Sequence, residues 1–319
     1  MTTYDRLELL ATIADLYYVR RLGQAEIAQR LGYSRSAISR LLSEAHDKQI
    51  VEIRVNHPLQ RDVDLEMALR ETFGLGEAFV ARRGSLGYEQ MLTLLGRLGA
   101  AYLDDVWVEP CVVGLSWGTA VYEVAAALRP RRLPGSEVVQ LIGGIGRGDP
   151  QIDGPGVAMR VAQTVGGRYH TLNAPHVAAD SAMRQALLAM PAIQDTLQLG
   201  LEASLAVVGI GSVVPERSSL LRAGYLSPAE LAAIRATGAV GDVCGTHFDA
   251  HGRILDIEIN RRVIGVNLRD LLETPCRVIG VAGGQVKAEA ILGALRGGLV
   301  NVLVTDSSAA EHILTETLG

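Results

Sequence analysis

From about residue 77 onward, short β-branched runs alternate with longer stretches of helical periodicity, and this alternation limits the fold more than any other feature of the chain. The segments 77–81, 111–115, 137–142, 204–210, 277–282 and 300–304 read as strands. Helices are expected near 88–106, 118–128, 155–165, 180–189, 227–236, 286–297 and 307–317. A helix between successive strands returns the chain to the end where it started, so the expected architecture is an α/β domain with a mostly parallel sheet. No internal repeat or low-complexity segment interrupts the pattern. No apolar run approaches the roughly 20 residues needed to cross a bilayer. The first residues, Met1-Thr2-Thr3-Tyr4-Asp5, lack the basic and apolar regions of a secretory signal. A cytoplasmic protein without a membrane partner is therefore expected. Cys111, Cys244 and Cys276 lie far apart in strand-like surroundings, which suits buried thiols in a reducing compartment rather than a metal cluster or disulfide framework.

The first 57 residues have a different texture and read as a separate small domain, with 58–319 as the large one. Residues 5–18 carry Leu7, Leu10, Ile13, Ala14 and Tyr17 at helical spacing. A second helix runs from Gln24 to Leu31 and stops at Gly32-Tyr33. Ser34 then starts a third, from Arg35 to about Lys48, because its hydroxyl can accept a free amide of the first turn. Small Ala28 sits where two helices cross, Gly32 suits the positive φ of a tight turn, and Ile27, Leu31, Ile38 and Leu41 complete a core. Several independent demands of a helix-turn-helix are thus met at once. Residues 50–55 alternate like a short strand and would act as a wing, making this an all-α winged helix-turn-helix domain. His57-Pro58 breaks the pattern at the domain boundary, and residues 60–73 read as a connecting helix. Arg35, Ser36, Ser39 and Arg40 fall on the exposed face of the third helix, with Gln24 and Ser34 at helix starts, as candidate contacts to double-stranded operator DNA. The chain carries a formal net charge of −5, yet Arg20, Arg21, Arg30, Arg35 and Arg40 face only Glu26 within 20–40. Such a patch attracts duplex phosphates, although charge alone is equally compatible with a solvated helical face. A palindromic site needs two copies of the motif, so a homo-oligomer, dimer or tetramer, is expected.

Three glycine-rich strand ends carry the chemistry of the large domain. Gly114-Leu115-Ser116-Trp117-Gly118 fits the G-x-S-x-G pattern of a nucleophile elbow. A hydrolase would also need a downstream acid and a histidine, for which Asp242 or Asp306 and His176, His247, His251 or His312 are available. The same turn makes an oxyanion cradle from helix-start amides and the hydroxyls of Ser116 and Thr119. Gly283-Gly284 precedes Lys287, one of only two lysines in the chain. The third, Gly143-Gly144-Ile145-Gly146-Arg147-Gly148, lacks dinucleotide spacing and runs into Asp149-Pro150. Each pair could equally be a plain tight turn. Together they would share the carboxyl edge of a parallel sheet, with Asp153, Asp242 and Asp306 offering acceptors to a polyhydroxylated molecule, phosphorylated or not, and Trp117 a stacking face.

The order of these motifs resembles the SorC (SorC/DeoR) family of sugar-responsive bacterial regulators over nearly the whole length. The likeness rests on Gln24–Ala28 with Ser34–Leu42, on Gly114–Thr119, on Val281–Gly284 followed by Lys287-Ala288, and on 294–299 through Leu303–Asp306. It implies an effector domain similar in fold to glucosamine-6-phosphate deaminase, ribose-5-phosphate isomerase and CoA-transferase. It also implies a sugar, polyol or sugar-phosphate effector and a tetramer on DNA, with no cofactor, no metal and no enzymatic activity. On this resemblance Ser116, Trp117, Gly118, Thr119, Asp242, Gly283, Gly284 and Lys287 are effector-binding, with Gly144 and Asp153 as neighbours. The chain departs from some phosphate-binding members in having Thr119-Ala120 where those have two threonines. An isomerase- or deaminase-like enzyme acting on sugar phosphates is the alternative function, since the implied fold hosts those too.

Overall fold

The computed structural model describes residues 3–51, 60–144 and 153–318. Most of the expected wing, the His57-Pro58 break and the glycine-rich segment from Ile145 to Pro150 lie outside these residues. The chain divides into two compact units, Met1–Pro58 and Leu59–Gly319.

In the first unit, α1 (Thr3–Ala14) continues into one π-turn, Asp15–Val19, and is followed by α2 (Gln24–Leu31) and α3 (Arg35–Asp47). Leu10, Ile13, Ile27, Ala28, Ile38, Leu41, Leu42 and Ala45 form its buried centre. Gly32 ends α2 with φ 72°, and its amide donates to the Ala28 carbonyl. This left-handed turn is costly for residues with a Cβ, so glycine is required here. Ser34 caps α3 by accepting the Ala37 amide at 3.1 Å, while its hydroxyl also meets that of Ser36 at 3.0 Å.

The second unit opens with α4 (Val63–Phe73), β1 (Glu77–Ala81), α5 (Tyr88–Val106), β2 (Cys111–Leu115), α6 (Thr119–Ala127) and β3 (Ser136–Gln140). It continues through α7 (Gly154–Val165), β4 (Arg168–His170), α8 (Ser181–Leu188), α9 (Pro191–Leu201) and β5 (Leu205–Ser212). Next come α10 (Ser219–Arg222), α11 (Pro228–Ala236) and the strands β6 (Ala239–Val243) and β7 (Thr246–Asp249). The chain closes with α12 (Leu268–Leu272), β8 (Arg277–Val281), α13 (Ala288–Arg296), β9 (Val302–Asp306) and α14 (Ser307–Leu318). Seven strands pair in parallel in the order β1-β9-β8-β5-β2-β3-β4. The mostly parallel α/β expectation holds.

The inner strands β2, β5, β8 and β9 are apolar over most of their length because both faces of the sheet are covered. Along β5, Leu205 and Val207 join the core on one face, whereas Ala206, Val208 and Ile210 join that on the other. Helices α5, α6 and α7 supply the first layer; α4, α13 and α14 supply the second. The strand order reverses between β2 and β5, since the chain builds outward through β3 and β4 before crossing to β5, β8 and β9. Crevices that bind ligands open at such reversals.

Sequence periodicity missed β4, α9, α12 and the β6–β7 hairpin. That hairpin turns through Cys244 and Gly245, at φ 52° and 74°. Two positive φ angles suit the right-handed twist of a two-residue hairpin, normally signalled by Asn-Gly or Asp-Gly. Cys-Gly gives no such signal.

The edge strand β1 depends on one buried carboxylate. Glu66 of α4 accepts the Val80 amide at 2.9 Å and the guanidinium of Arg61 at 2.8 and 2.6 Å. Glu66→Ala leaves that amide without its acceptor, an expected loss of about 2 kcal/mol. The thermal midpoint of the large unit should fall by roughly 4–8 °C. Glu66→Gln, which retains an acceptor, should fall less; calorimetry on both variants checks the order.

Candidate functional site

At the sheet reversal, a cavity of about 500 Å³, including its open mouth, lies between the end of β2, the start of α6, the last residues of β5 and the β6–β7 turn. Ser116, Trp117, Gly118, Thr119, Asp242 and Lys287 all line it. The other expected effector residues do not. Gly283 and Gly284 pack toward α5 and Asp306: a Cβ on Gly283 would fall within 3 Å of Asp306, Leu95 and Met91. Gly144 and Asp153 lie beside one another, outside the lining, with the Asp153 carboxylate also accepting the Gly154 amide at the start of α7. Asp306 is corrected from ligand acceptor to structural anchor. It is fully buried, accepts the Gly284 amide at 2.5 Å and the Ser308 hydroxyl at 2.6 Å, and faces Arg83 at 3.8 Å.

Each charged group in the cavity is held by backbone. Lys287 stands in a short 3-10 turn just before α13, and its Nζ donates to the Ile210 carbonyl at 2.8 Å. Burial lowers its pKa to about 8; Asp242 opposes that shift, and Arg222 and Arg217 add to it. Asp242 accepts the Gly245 amide at 3.2 Å. Arg222 donates to the Ser219 hydroxyl at 3.3 Å, and Arg217 stacks 3.8 Å from the centre of the Tyr88 ring. Among the described residues neither of these two arginines pairs with a carboxylate. Lys287 and Asp242 are thus the charged groups of the described lining, while Arg222 and Arg217 act on the Lys287 charge from outside it.

Ser116 does not have the setting of a nucleophile. Its side chain is buried and accepts the Gly209 amide at 3.2 Å, tying β2 to β5. No hydrogen bond joins it to a histidine among the described residues. The G-x-S-x-G spacing thus arises from a tight strand-to-helix turn, opened by Gly118 at φ 125°. Behind the cavity wall, His176 stacks edge-on against Trp117 at 5.3 Å and Tyr225 at 5.8 Å. The Tyr225 hydroxyl donates to the Gly144 carbonyl at 2.8 Å. Both ring nitrogens of His176 are buried without a hydrogen-bond partner among the described residues. Burial, reinforced by His247, pushes its pKa down to about 3.

Sequence reasoning missed Gly209, Gly211, Ser219, Cys244 and Gly245, which also line the cavity. The alternation Gly209-Ile210-Gly211 at a strand end was the available signal, because glycine inside a strand marks close approach of another group. In the helical unit, Arg35, Ser36, Ser39 and Arg40 are all exposed on α3, Ser34 is exposed at its cap, and Gln24 is half-buried. Arg20 and Arg30 pair with Asp15 and Glu26; among the described residues Arg35 and Arg40 have no carboxylate partner.

Residues 57–315 match the family described as "Putative sugar-binding domain". The chain is 35% identical over 313 residues to the deoxyribonucleoside regulator of Bacillus subtilis (strain 168), covering 98% of this chain and 99% of that one. It is 30% identical over 317 residues to the sorbitol operon regulator of Klebsiella pneumoniae, covering 98% and 100%. The crystal structure of the full-length sorbitol operon regulator SorC from Klebsiella pneumoniae superposes with a TM-score of 0.75 at 30% identity, covering 97% of this chain and 98% of that one. Fold and matches together define a transcriptional regulator with a sugar-binding domain. The chain belongs to the SorC family. No helix among the described residues is long and apolar enough to cross a membrane.

Two outcomes follow from the site's electrostatics. An unfolded histidine binds a proton below about pH 6.5, whereas folded His176 stays neutral down to about 3. The unfolded state therefore binds more protons in that window, and stability falls as the pH falls. His176→Phe should remove up to about 1.4 kcal/mol per pH unit of this loss between pH 6 and pH 4. Urea unfolding of both proteins across that range reads the difference. In a separate measurement, a fluorophosphonate probe should leave Ser116 unlabelled, and Ser116→Ala should cost about 1–2 kcal/mol by leaving the Gly209 amide unpaired.

Proposed function

We propose that this regulator binds operator DNA through α2 and α3 and is controlled by a small polyhydroxylated anion held in the cavity at the sheet reversal. The observation that carries the effector half is the convergence of Ser116–Thr119, Asp242 and Lys287 on one cavity, with Arg222 and Arg217 acting on the Lys287 charge from outside the lining. A ligand anion would meet the ammonium, the guanidinium groups and the free amides at the start of α6. A ligand hydroxyl would donate to Asp242. Ala120 lines the cavity where some family members place a second threonine, so the arginines would bear more of the anion's charge here. The names of the relatives, a deoxyribonucleoside regulator and a sorbitol operon regulator, favour a carbohydrate or carbohydrate phosphate. Residues 58–319 would hold this effector and form the homo-oligomer, within a fold similar to the sugar-phosphate isomerases.

The DNA half rests on the form of the helical unit. Gly32 makes the turn, Ser34 caps α3, and the outward face of α3 presents Arg35, Ser36, Ser39 and Arg40. The start of α3 would enter the major groove, where arginine can pair with guanine through two hydrogen bonds. Residues 50–55 would flank the duplex as a wing, and 1–57 would form the reading domain. Ligand binding would favour one arrangement of the oligomer and so change how its copies match two half-sites. Such a protein works in the cytoplasm as a repressor or activator and turns over nothing.

Thermal-shift screening against sugars, polyols and their phosphates tests the effector half. A phosphorylated ligand at 100 times its Kd should stabilise the protein by about 2.7 kcal/mol, and its unphosphorylated parent by much less. Chemical conversion of the ligand during the assay would instead favour the enzyme reading. For the DNA half, Arg35→Ala or Arg40→Ala should weaken binding to the gene's own promoter fragment by roughly 5- to 150-fold where a guanine contact is lost. Fluorescence anisotropy at several salt concentrations reads this; unchanged affinity in both variants refutes the assignment.

A further inference from the structure

Gly211 sits in β5 directly across from Asp242 of β6 in the antiparallel register. Its backbone is not in the left-handed region, so no turn demands a glycine there. Nor does conformational economy, since glycine weakens a strand interior. What excludes a side chain is one neighbour. A Cβ at 211 would stand 1.9 Å from Oδ1 of Asp242, 2.7 Å from its Cγ and 3.1 Å from Oδ2. All three nearest atoms belong to that carboxylate. Other glycines of the site differ: a Cβ on Gly241 would meet the Gly211 carbonyl and the Ala290 side chain, and one on Gly245 would meet the ring of His176.

The Asp242 side chain therefore folds back over its cross-strand partner instead of standing out from the sheet. The Gly245 amide holds Oδ2 from the other side. One residue earlier, the Ile210 carbonyl holds the Lys287 ammonium. Two successive residues of β5 thus place the carboxylate and the ammonium of the cavity, one by a missing side chain and one by a carbonyl.

We propose that Gly211 is a positioning residue, whose bare Cα seats the Asp242 carboxylate in the cavity with Lys287 and thereby sets which ligand hydroxyls can be accepted. Any side chain at 211 ejects that carboxylate. The proposal builds on the effector reading of the cavity, but its central step, the seating of Asp242, can be measured without an effector.

Lys48 and Lys287 are the only lysines, so the full chain labelled with ¹³C at lysine Cε gives two titrating resonances, assigned with Lys48→Arg. Asp242 supports the charged form of Lys287; its loss in Asp242→Ala should move the Lys287 midpoint down. Gly211→Ala should move it down by the same amount, and Gly211→Ala/Asp242→Ala should move it no further than Asp242→Ala alone. A wild-type midpoint in Gly211→Ala overturns the proposal, as does an equal additional shift on the Asp242→Ala background. Should Gly211→Ala fail to fold, the double variant must fold as well as Asp242→Ala does, because the obstructing carboxylate is gone. A double variant that also fails to fold shows that Gly211 serves packing alone. Failure of the carbohydrate screen, by contrast, bears on the effector reading and leaves the lysine titration intact.

Discussion

Strand β5 changes partners part way along its length, and the site depends on that change. Over Leu205–Gly209 it pairs in parallel with β8, and over Leu205–Val207 with β2. From Ile210 to Ser212 it pairs antiparallel with β6. A strand has only two hydrogen-bonding edges, and β2 and β8 occupy both over Leu205–Val207, so β6 can pair with β5 only after a first neighbour has left. The gap left as β2 and β8 fall away is the cavity, and the hairpin that replaces them brings in Asp242, Cys244 and Gly245. Ser116 secures the parting point by accepting the Gly209 amide. The residue that looked most like a nucleophile is thus a clasp at the place where the sheet divides.

Charge in the cavity follows from the same seam. Burying an ammonium costs free energy unless it is hydrogen-bonded or paired. Lys287 has a carbonyl partner and a nearby carboxylate, yet its pKa still falls to about 8. Burial is the main cause, and Arg222 and Arg217, which no carboxylate answers among the described residues, add to it. A site left with surplus positive charge gains when an anion enters, because the ligand replaces an unfavourable field with charge-assisted hydrogen bonds. Under the proposed effector reading, the same surplus would favour a sugar phosphate over the neutral sugar. Deep burial works differently at His176, which has no hydrogen-bond partner among the described residues: the neutral ring packs between Trp117 and Tyr225 and contributes apolar surface rather than charge.

Elements with a strong period were readable in the sequence, and those defined by pairing were not. The six expected strands and the long helices fall within a few residues of β1, β2, β3, β5, β8, β9, α5, α6, α7, α13 and α14, because their burial imposes unbroken or helical apolar patterns. β4 has three residues, α12 five, and β6–β7 turns on Cys-Gly; none of these carries a local signature. For the site, the residues that the turn after β2 and the large unit's one lysine made visible did converge. Gly283-Gly284 and Asp306 have the right chemistry at the right edge of the sheet but face α5, and which way a strand-end loop points is a matter of packing. Gly211 was only half legible for a related reason: a glycine inside a strand signals a close approach but not what approaches. Its role exists only across a strand pair, and a lone sequence does not show which residues are paired.

Under the proposed DNA reading, the helical unit is sparing with positive charge. Arg6, Arg20 and Arg30 are each bound to a carboxylate of the same unit, at Glu44, Asp15 and Glu26. The first pair ties α1 to α3 and the other two are local, and all three take their charge out of contention for phosphates. Arg35 and Arg40, on the exposed face of α3, keep theirs. Nonspecific affinity for duplex DNA grows with the number of phosphates neutralised, so a unit with few unpaired cations binds random sequence weakly. Its two unpaired arginines at the recognition face then weigh more heavily in the choice of sequence. The remainder of the affinity has to come from more than one copy acting at once, since linked binding events multiply without any new contact per copy. A ligand that alters how the copies are arranged would act on that larger share, which makes the cavity at the β5 seam an effective point of control.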